Sequence, residues 1–126
     1  MIVGLGIDAV DIQRIVRMAD QHGPRMAKRL LTADEIAYCA SKANPAQHMA
    51  VRLAAKEAAY KALAGNALAR GIGWREVEVA SRLDGSPELL LHGRAADRFA
   101  QLGATSAHVS LTHSDATAVA VVIVER

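Results

Sequence analysis

A long, alanine-rich helix is the sequence feature that most constrains the fold. It is predicted to open at Asn44-Pro45 and to run to about Leu63, with Gly65 beyond it as a stop. Its apolar stripe and the small residues around that stripe are Met49, Leu53, Tyr60 and Leu63, with Ala54, Ala55, Ala58, Ala59 and Ala62. Because alanine side chains are short, neighbouring elements can approach this helix closely, and we expect the rest of the chain to pack around it.

The segment before this helix is predicted to start with a buried strand over Ile2–Ile7. Gly4 and Gly6 in that strand permit another backbone to come close. Asp11 is suited to N-cap the helix that follows, and His22-Gly23-Pro24 is expected to end it. The amino-terminal part of the chain is therefore predicted to be a strand followed by a short amphipathic helix.

The remaining elements follow from capping, alternation and turn signals. A capping box beginning at Thr32 predicts a second helix that runs to about Ala40. Beyond the central helix we predict a strand at Val77–Val79, a turn at Asp84-Gly85, a strand at Glu88–His92, a helix at Arg94–Leu102 and strands at His108–Thr112 and Ala116–Val124. The predicted order is β-α-α-α-β-β-α-β-β, an α+β fold in one domain over residues 1–126.

Composition excludes several classes of protein. Hydrophobic residues make up 52% and charged residues 22%, which is typical of a globular domain and not of a disordered chain. No apolar run reaches the roughly 18 residues that a membrane-spanning helix requires, so we expect no membrane partner. The single cysteine, Cys39, excludes an internal disulfide and favours a reducing, cytoplasmic location. A chain this small can gain stability by oligomerisation.

Positive charge is concentrated in one segment. The whole chain has a net charge of +2, whereas Ile12–Leu31 carries five basic residues and one acidic residue, a net charge of +4. Within the first helix Arg14 and Arg17 lie opposite an apolar face formed by Ile12, Ile15, Val16 and Ala19. This distribution predicts an acidic partner for one surface of the protein.

Two acidic residues are candidates for chemistry. Asp8 follows a buried strand, where a carboxylate is costly without a partner, although a turn or helix-start aspartate is the simpler interpretation. Glu57 lies at the edge of the central helix between Lys56 and Lys61. A carboxylate flanked by lysines suits a site for a metal and a phosphate. In the alternative interpretation Lys56 snorkels, and Glu57 and Lys61 form a routine helix pair worth about 0.2–0.5 kcal/mol.

A polar group near the carboxyl terminus is a third candidate. In the segment Ser110–Ser114, alternation places Ser110 and Thr112 on one strand face and His113 at the strand end. An ordinary polar strand face is the simpler interpretation of Ser110 and Thr112, and a surface loop position suits His113 equally well.

Several motifs occur together in a recognisable order. Gly4–Ile12 reads GLGIDAVDI, and Arg52–Ala62 reads RLAAKEAAYKA, with a Lys-Glu pair and a further Lys four residues after Glu. Shorter segments are Leu30-Leu31-Thr32 with Glu35, Gly71–Trp74, Gly85-Ser86-Pro87 and Val109–His113. Nearly the whole chain thus resembles the holo-(acyl-carrier-protein) synthases of the 4'-phosphopantetheinyl transferase superfamily. It departs from them at Leu53, often an aromatic residue, and at Gly65–Arg70, which lacks a Gly-Thr start.

The resemblance implies a reaction and a metal. The reaction is the transfer of 4'-phosphopantetheine from coenzyme A to a serine of apo-acyl carrier protein, with release of adenosine 3',5'-bisphosphate, in support of fatty acid biosynthesis. By motif match Asp8 and Glu57 are expected to bind Mg²⁺ and to be catalytic. Lys61 is expected to stabilise the transferring phosphate, while Arg52 and Lys56 are expected to bind other phosphates of coenzyme A.

The resemblance also implies contacts with the rest of coenzyme A and with the carrier protein. Ser110 and His113 are expected to contact the nucleotide end of coenzyme A, and Arg14 and Arg17 to receive the acidic acyl carrier protein. Family members form trimers with sites between subunits, so we expect a homotrimer. The general base stays open between a metal-bound water and a ligand carboxylate.

Two other functions use some of the same residues. A basic module that binds RNA or another acidic polymer would use Arg14, Arg17, Arg25, Lys28 and Arg29. It would leave Asp8 and Glu57 without a role, and the chain lacks an aromatic array for base stacking. We therefore expect no nucleic-acid partner. A small Mg²⁺-dependent phosphohydrolase would use the same carboxylates with an activated water in place of a protein serine.

Overall fold

The computed structural model describes residues 1–126 and contains two antiparallel sheets. The larger sheet has the strand order β1 (Ile2–Asp11), β5 (Thr117–Glu125), β4 (Ser106–His113). The smaller sheet is the hairpin β2 (Val77–Ser81) and β3 (Pro87–Leu91). The helices are α1 (Ile12–His22), α2 (Pro24–Leu30), α3 (Ala33–Ala40), α4 (Pro45–Leu63), α5 (Ala67–Arg70) and α6 (Gly93–Gln101), with a 3-10 turn at Trp74–Glu76.

The predicted α+β fold is confirmed, and the helices with the clearest capping signals lie where the sequence places them. Asn44 caps α4 through its side chain, and Thr32 forms a complete capping box at α3. Asp11 caps α1 by accepting a hydrogen bond from the Gln13 amide at 3.0 Å. Local hydrogen-bonding chemistry therefore decides where these helices begin.

Two local expectations were wrong, and a third segment, for which the sequence predicts no element, forms a short helix. The first strand does not end at Ile7 but continues to Asp11, because β5 runs alongside it over that distance and pairs with Asp8 at Ala120. A helix, α2, starts directly after Gly23, since proline is compatible with the first turn of a helix. The departure from the family pattern after α4 forms the short helix α5, which Asn66 caps through its side chain.

Helix α4 lies directly on strand β1, with no side chain between the two backbones. A Cβ atom built on Gly6 would lie 1.8 Å from the Ala58 carbonyl oxygen, and one built on Gly4 would lie 2.1 Å from that of Ala62. No residue larger than glycine fits at either position. Glycines on the strand and alanines on the helix therefore set the distance between these two elements.

The core forms two clusters, one at each end of α4. One packs the alanines of α4 against the inner face of β5, β2 and α6, and the other joins α1, α2 and α3 to the first half of α4. Helix α1 buries Ile12 and Ile15 as predicted, whereas Val16 and Ala19 of the same face are half-buried. The predicted stripe of α4 needs a correction, because Tyr60 is 39% exposed while Lys56 is buried. No helix is both long and apolar enough to cross a membrane.

Replacing Gly6 with alanine tests the contact between α4 and β1. The added methyl group would overlap a backbone carbonyl that cannot rotate away, so we expect Gly6→Ala to lower the free energy of unfolding by about 3 kcal/mol. Chemical denaturation measures this change. Gly73→Ala is the matched control, because its added Cβ meets only a side-chain oxygen at 3.4 Å. Equal stability of the two variants would contradict the close approach.

Candidate active site

Two carboxylates and an ammonium group meet where α4 crosses β1. Asp8 lies on the same strand face as Gly4 and Gly6, two residues beyond Gly6, so it points towards α4. The Lys61 ammonium donates to Asp8 Oδ1 at 3.0 Å and to the Ile7 carbonyl oxygen at 2.9 Å. Lys61 thus bonds to the strand. A routine helix pair would instead require a bond between Lys61 and Glu57, which is absent.

The pKa of the Glu57 carboxyl responds to its surroundings, which include Asp8. Partial burial raises the pKa of the Glu57 carboxyl, and the neighbouring Asp8 carboxylate raises it further. The positive charges of Lys61 and Arg14 act in the opposite direction. Two neighbouring carboxylates repel each other when both are ionised, so this position favours a cation that both can share.

An unsatisfied atom indicates where such a cation would bind. Asp8 Oδ2 is buried and has no hydrogen-bond partner. Mg²⁺ is held in proteins by one or two carboxylates, while phosphate oxygens and waters complete its octahedral shell. No three His, Cys, Asp or Glu side chains lie together in a group that could hold a metal ion by itself. Asp8 and Glu57 fit the two-carboxylate pattern, in which the substrate supplies the other ligands.

A pocket of about 410 Å³ opens beside these residues. Its lining is Lys56, Glu57, Tyr60, Lys61, Arg70, Ile72, Gly73, Trp74 and Val77. We call it the catalytic pocket. Charged groups lie at one part of its wall, and apolar side chains from residues 72–77 form another, so it can hold an uncharged chain attached to a phosphate.

A separate basic pocket of about 280 Å³ contains three of the predicted coenzyme A residues, Arg52, Ser110 and His113. The Arg52 guanidinium is buried, stacks 4.1 Å from the centre of the Tyr38 ring and leaves its Nε without a partner. Burial lowers the pKa of the adjacent His48 imidazole, and Arg52 and Lys42 lower it further through their positive charge. This accumulation of positive charge suits an anion.

The predicted docking face borders the carboxylates. Arg14 and Arg17 are exposed on α1, and neither forms an ion pair. Arg14 is close enough to Glu57 to lower the pKa of that carboxyl. Next to this face lies a groove of about 660 Å³, lined by Met18, His22, Arg25, Met26, Lys28, Arg29, Leu30 and Trp74. A bound acidic partner would therefore lie beside the two acids.

Comparison with known proteins decides the family. Residues 4–122 match the 4'-phosphopantetheinyl transferase superfamily. A holo-[acyl-carrier-protein] synthase of Nitratidesulfovibrio vulgaris is 50% identical over 125 residues, which cover 99% of each chain. The chain belongs to the 4'-phosphopantetheinyl transferase superfamily.

Solved structures of this superfamily have the same fold. A holo-[acyl-carrier-protein] synthase from Neisseria meningitidis matches with a TM-score of 0.88 at 27% identity, over 100% of both chains. One from Bacillus anthracis, in complex with CoA, matches with a TM-score of 0.79 at 31% identity, over 99% of this chain and 97% of that chain. The predicted family, fold and enzyme class are confirmed.

The expectation that Lys56 binds a phosphate of coenzyme A disagrees with the structure. Its side chain is 1% exposed. Its ammonium donates to Glu35 Oε1 at 2.7 Å and to the carbonyl oxygens of Trp74 and Val77. An ammonium has three N–H donors, so none remains for a phosphate. Lys56 therefore neither snorkels nor faces the solvent.

Sequence reasoning missed the apolar walls of the site. Trp74 lines both the catalytic pocket and the groove beside α1, and Met18 and Met26 line that groove. The segment Gly71–Trp74 was recognised as a family motif without a role. Met18 lies three residues after Ile15 on the apolar side of α1 and directly follows Arg17 of the charged side. This position at the border of the two sides indicates the edge of a contact surface.

Proposed function

We propose that the protein transfers 4'-phosphopantetheine from coenzyme A to a serine of an apo-acyl carrier protein in a Mg²⁺-dependent reaction. The observation that carries this proposal is the joint placement of Asp8, Glu57 and Lys61 beside the catalytic pocket, in a chain of this superfamily. The relatives are named for action on acyl carrier protein, and the Bacillus anthracis structure contains CoA. A role in fatty acid biosynthesis and a cytoplasmic location, which suits the free buried Cys39, belong to the same proposal.

In the proposed reaction the serine hydroxyl oxygen attacks the β-phosphate of coenzyme A. A new P–O bond forms, the bond to the bridging oxygen breaks, and adenosine 3',5'-bisphosphate leaves. The serine proton passes to water or to a ligand carboxylate. Mg²⁺ held by Asp8 and Glu57 would neutralise charge on the diphosphate. Transfer of this kind depends mostly on positioning and on charge stabilisation.

Lys61 is placed to stabilise the transferring phosphate. Two of its three N–H donors bond to Asp8 and to the Ile7 carbonyl oxygen, which fixes the position of the ammonium. The third donor is free for a phosphate oxygen. A preorganised cation of this kind stabilises negative charge without having to move during the reaction.

Arg52, Ser110 and His113 are proposed to bind the nucleotide end of coenzyme A. Their pocket is separate from the catalytic pocket on the same chain. A homotrimer with sites between subunits would bring such pockets together from neighbouring chains. The outer face of the larger sheet supports association, because Leu5 and Ile7 on β1 are 62% and 61% exposed.

This outer face is continuous across three strands. Ile7 pairs with Val121, and Val121 pairs with Ser110, so all three residues lie on one side of the sheet. Large apolar side chains exposed side by side, as Leu5 and Ile7 are on this face, are typical of a contact surface. The face that we propose to pack against another subunit therefore carries Ser110, one of the proposed coenzyme A residues.

Intact-mass spectrometry of the carrier protein tests the proposed transfer. We expect the apo-acyl carrier protein to gain the mass of one phosphopantetheine group when it is incubated with the enzyme, coenzyme A and Mg²⁺. Asp8→Asn and Glu57→Gln should each lower kcat about 100-fold or more, since each removes a charge that would face the metal. Circular dichroism provides the folding control.

Other outcomes of that experiment would contradict the proposal. Hydrolysis of coenzyme A without modification of the carrier protein would favour a phosphohydrolase. Full activity in the presence of a strong chelator, or near-normal turnover of either variant, would remove Mg²⁺ or that residue from the mechanism.

Charge reversal at Arg14 tests the docking face. Arg14→Glu should raise KM for the carrier protein about tenfold at low salt and leave KM for coenzyme A nearly unchanged, because surface charges mainly steer encounter. The effect should shrink as ionic strength rises towards about 1 M, where the Debye length is about 3 Å. Arg82→Glu, at an exposed position on the β2–β3 hairpin, is the matched control. Equal changes in both KM values would argue against docking here.

Light scattering tests the proposed trimer. We expect a mass of three chains at micromolar concentration for the wild type and a smaller species for Ile7→Lys, because a buried unpaired ammonium opposes association. Leu83→Lys, at a fully exposed hairpin position, should remain a trimer. A monomeric wild type with full activity would overturn the prediction.

A further inference from the structure

The Lys56 ammonium forms the centre of a buried hydrogen-bond network. Its three acceptors are Glu35 Oε1, the Trp74 carbonyl oxygen at 2.9 Å and the Val77 carbonyl oxygen. The side chains of Lys56 and Glu35 are 1% and 0% exposed. A buried ion pair is weak evidence for a contribution to stability, because desolvation offsets its attraction. Stability alone therefore does not explain why this ion pair is buried.

Glu35 anchors this network to two other elements. Its Oε1 accepts the Thr32 amide at 2.9 Å, within the capping box of α3, and its Oε2 accepts the Val79 amide on β2 at 3.0 Å. Both carboxylate oxygens are thus fixed by backbone donors. The position of the Lys56 ammonium is consequently set by α3, α4 and β2 together.

The two carbonyl groups that Lys56 holds belong to one wall of the catalytic pocket. Ile72, Gly73, Trp74 and Val77 all line that pocket, and Trp74 also lines the groove beside α1. The Trp74 side chain thus stands between the two spaces. Lys56 thus bonds to this wall at two carbonyl groups. Because Lys56 and Glu57 are neighbours on α4, these bonds hold the wall in place relative to Glu57.

We propose that Lys56 is a positioning residue that fixes the Trp74 wall, and that this wall holds the pantetheine arm of coenzyme A beside Glu57. The second part rests on the proposed transfer reaction, which brings an uncharged arm attached to the reacting phosphate. Glu57 and Lys61 lie where that phosphate would bind, and the apolar part of the lining comes from the segment that Lys56 holds.

We call the hydrogen bonds from Lys56 to the Trp74 and Val77 carbonyl oxygens the clamp. The double variant Lys56→Met, Glu35→Gln removes the clamp without leaving either buried charge unpaired. We expect KM for coenzyme A to rise about tenfold, as for loss of apolar contacts in a pocket, while kcat changes less than about twofold. The inhibition constant of adenosine 3',5'-bisphosphate should stay unchanged, because that molecule lacks the arm. Trp74→Leu leaves the network intact and should raise the same KM.

A second measurement tests the clamp without any reaction. Trp74 is the only tryptophan, so intrinsic fluorescence reports its surroundings. The Trp74 residue is 39% exposed. Quenching by acrylamide should increase about twofold in the double variant, since a released wall exposes the remaining, packed part of the indole to solvent. Lys42→Met is the matched control, because Lys42 lies over the Tyr38 ring and outside the network. It should leave quenching unchanged.

The outcomes separate this inference from the proposed function. If the wild type fails to modify the carrier protein, both the transfer reaction and the pantetheine site are wrong. The quenching result would still decide whether Lys56 holds the wall. Parallel increases in KM for coenzyme A and in the inhibition constant would show a general structural defect and overturn the positioning role. Unchanged quenching in the folded double variant would overturn the clamp.

Discussion

The direct contact between the backbones of α4 and β1 is the constraint on which the rest of the structure depends. Gly4 and Gly6 remove every side chain from one surface of the contact, and alanines keep the other surface shallow. Asp8 and Glu57 reach each other only because their two elements lie this close. The site is thus a consequence of backbone packing, and the charged residues occupy positions that small residues have created.

Local chemistry allowed much of the fold to be predicted from the sequence. The beginnings of α3 and α4 follow from side chains that bond to amides three residues away, so a short window of sequence contains the whole signal. The end of β1 could not be found in this way. Its last residues are extended because β5 pairs with them more than a hundred positions later in the chain.

The candidate site shows the same division between local and long-range information. Lys56 and Lys61 lie on one helix and look equivalent in sequence, yet one is buried and the other is half exposed. Their difference comes from Glu35 and from the carbonyl groups of residues 74 and 77, none of which a helical pattern can reveal. Family resemblance singles out Asp8 and Glu57, which lie on two adjoining elements, but it assigns Lys56 to the ligand, although the Lys56 ammonium is buried and bonded within the protein.

Glu35 takes part in contacts of very different sequence separation. Its bond to Thr32 spans 3 residues, its bond to Lys56 spans 21, and its bond to Val79 spans 44. Short loops close first because the entropic cost of closure rises with loop length. The start of α3 can therefore orient this carboxylate before its distant partners arrive. In kinetic terms, one side chain acts at an early and at a late step of folding, so its loss would change the folding and the unfolding rate alike.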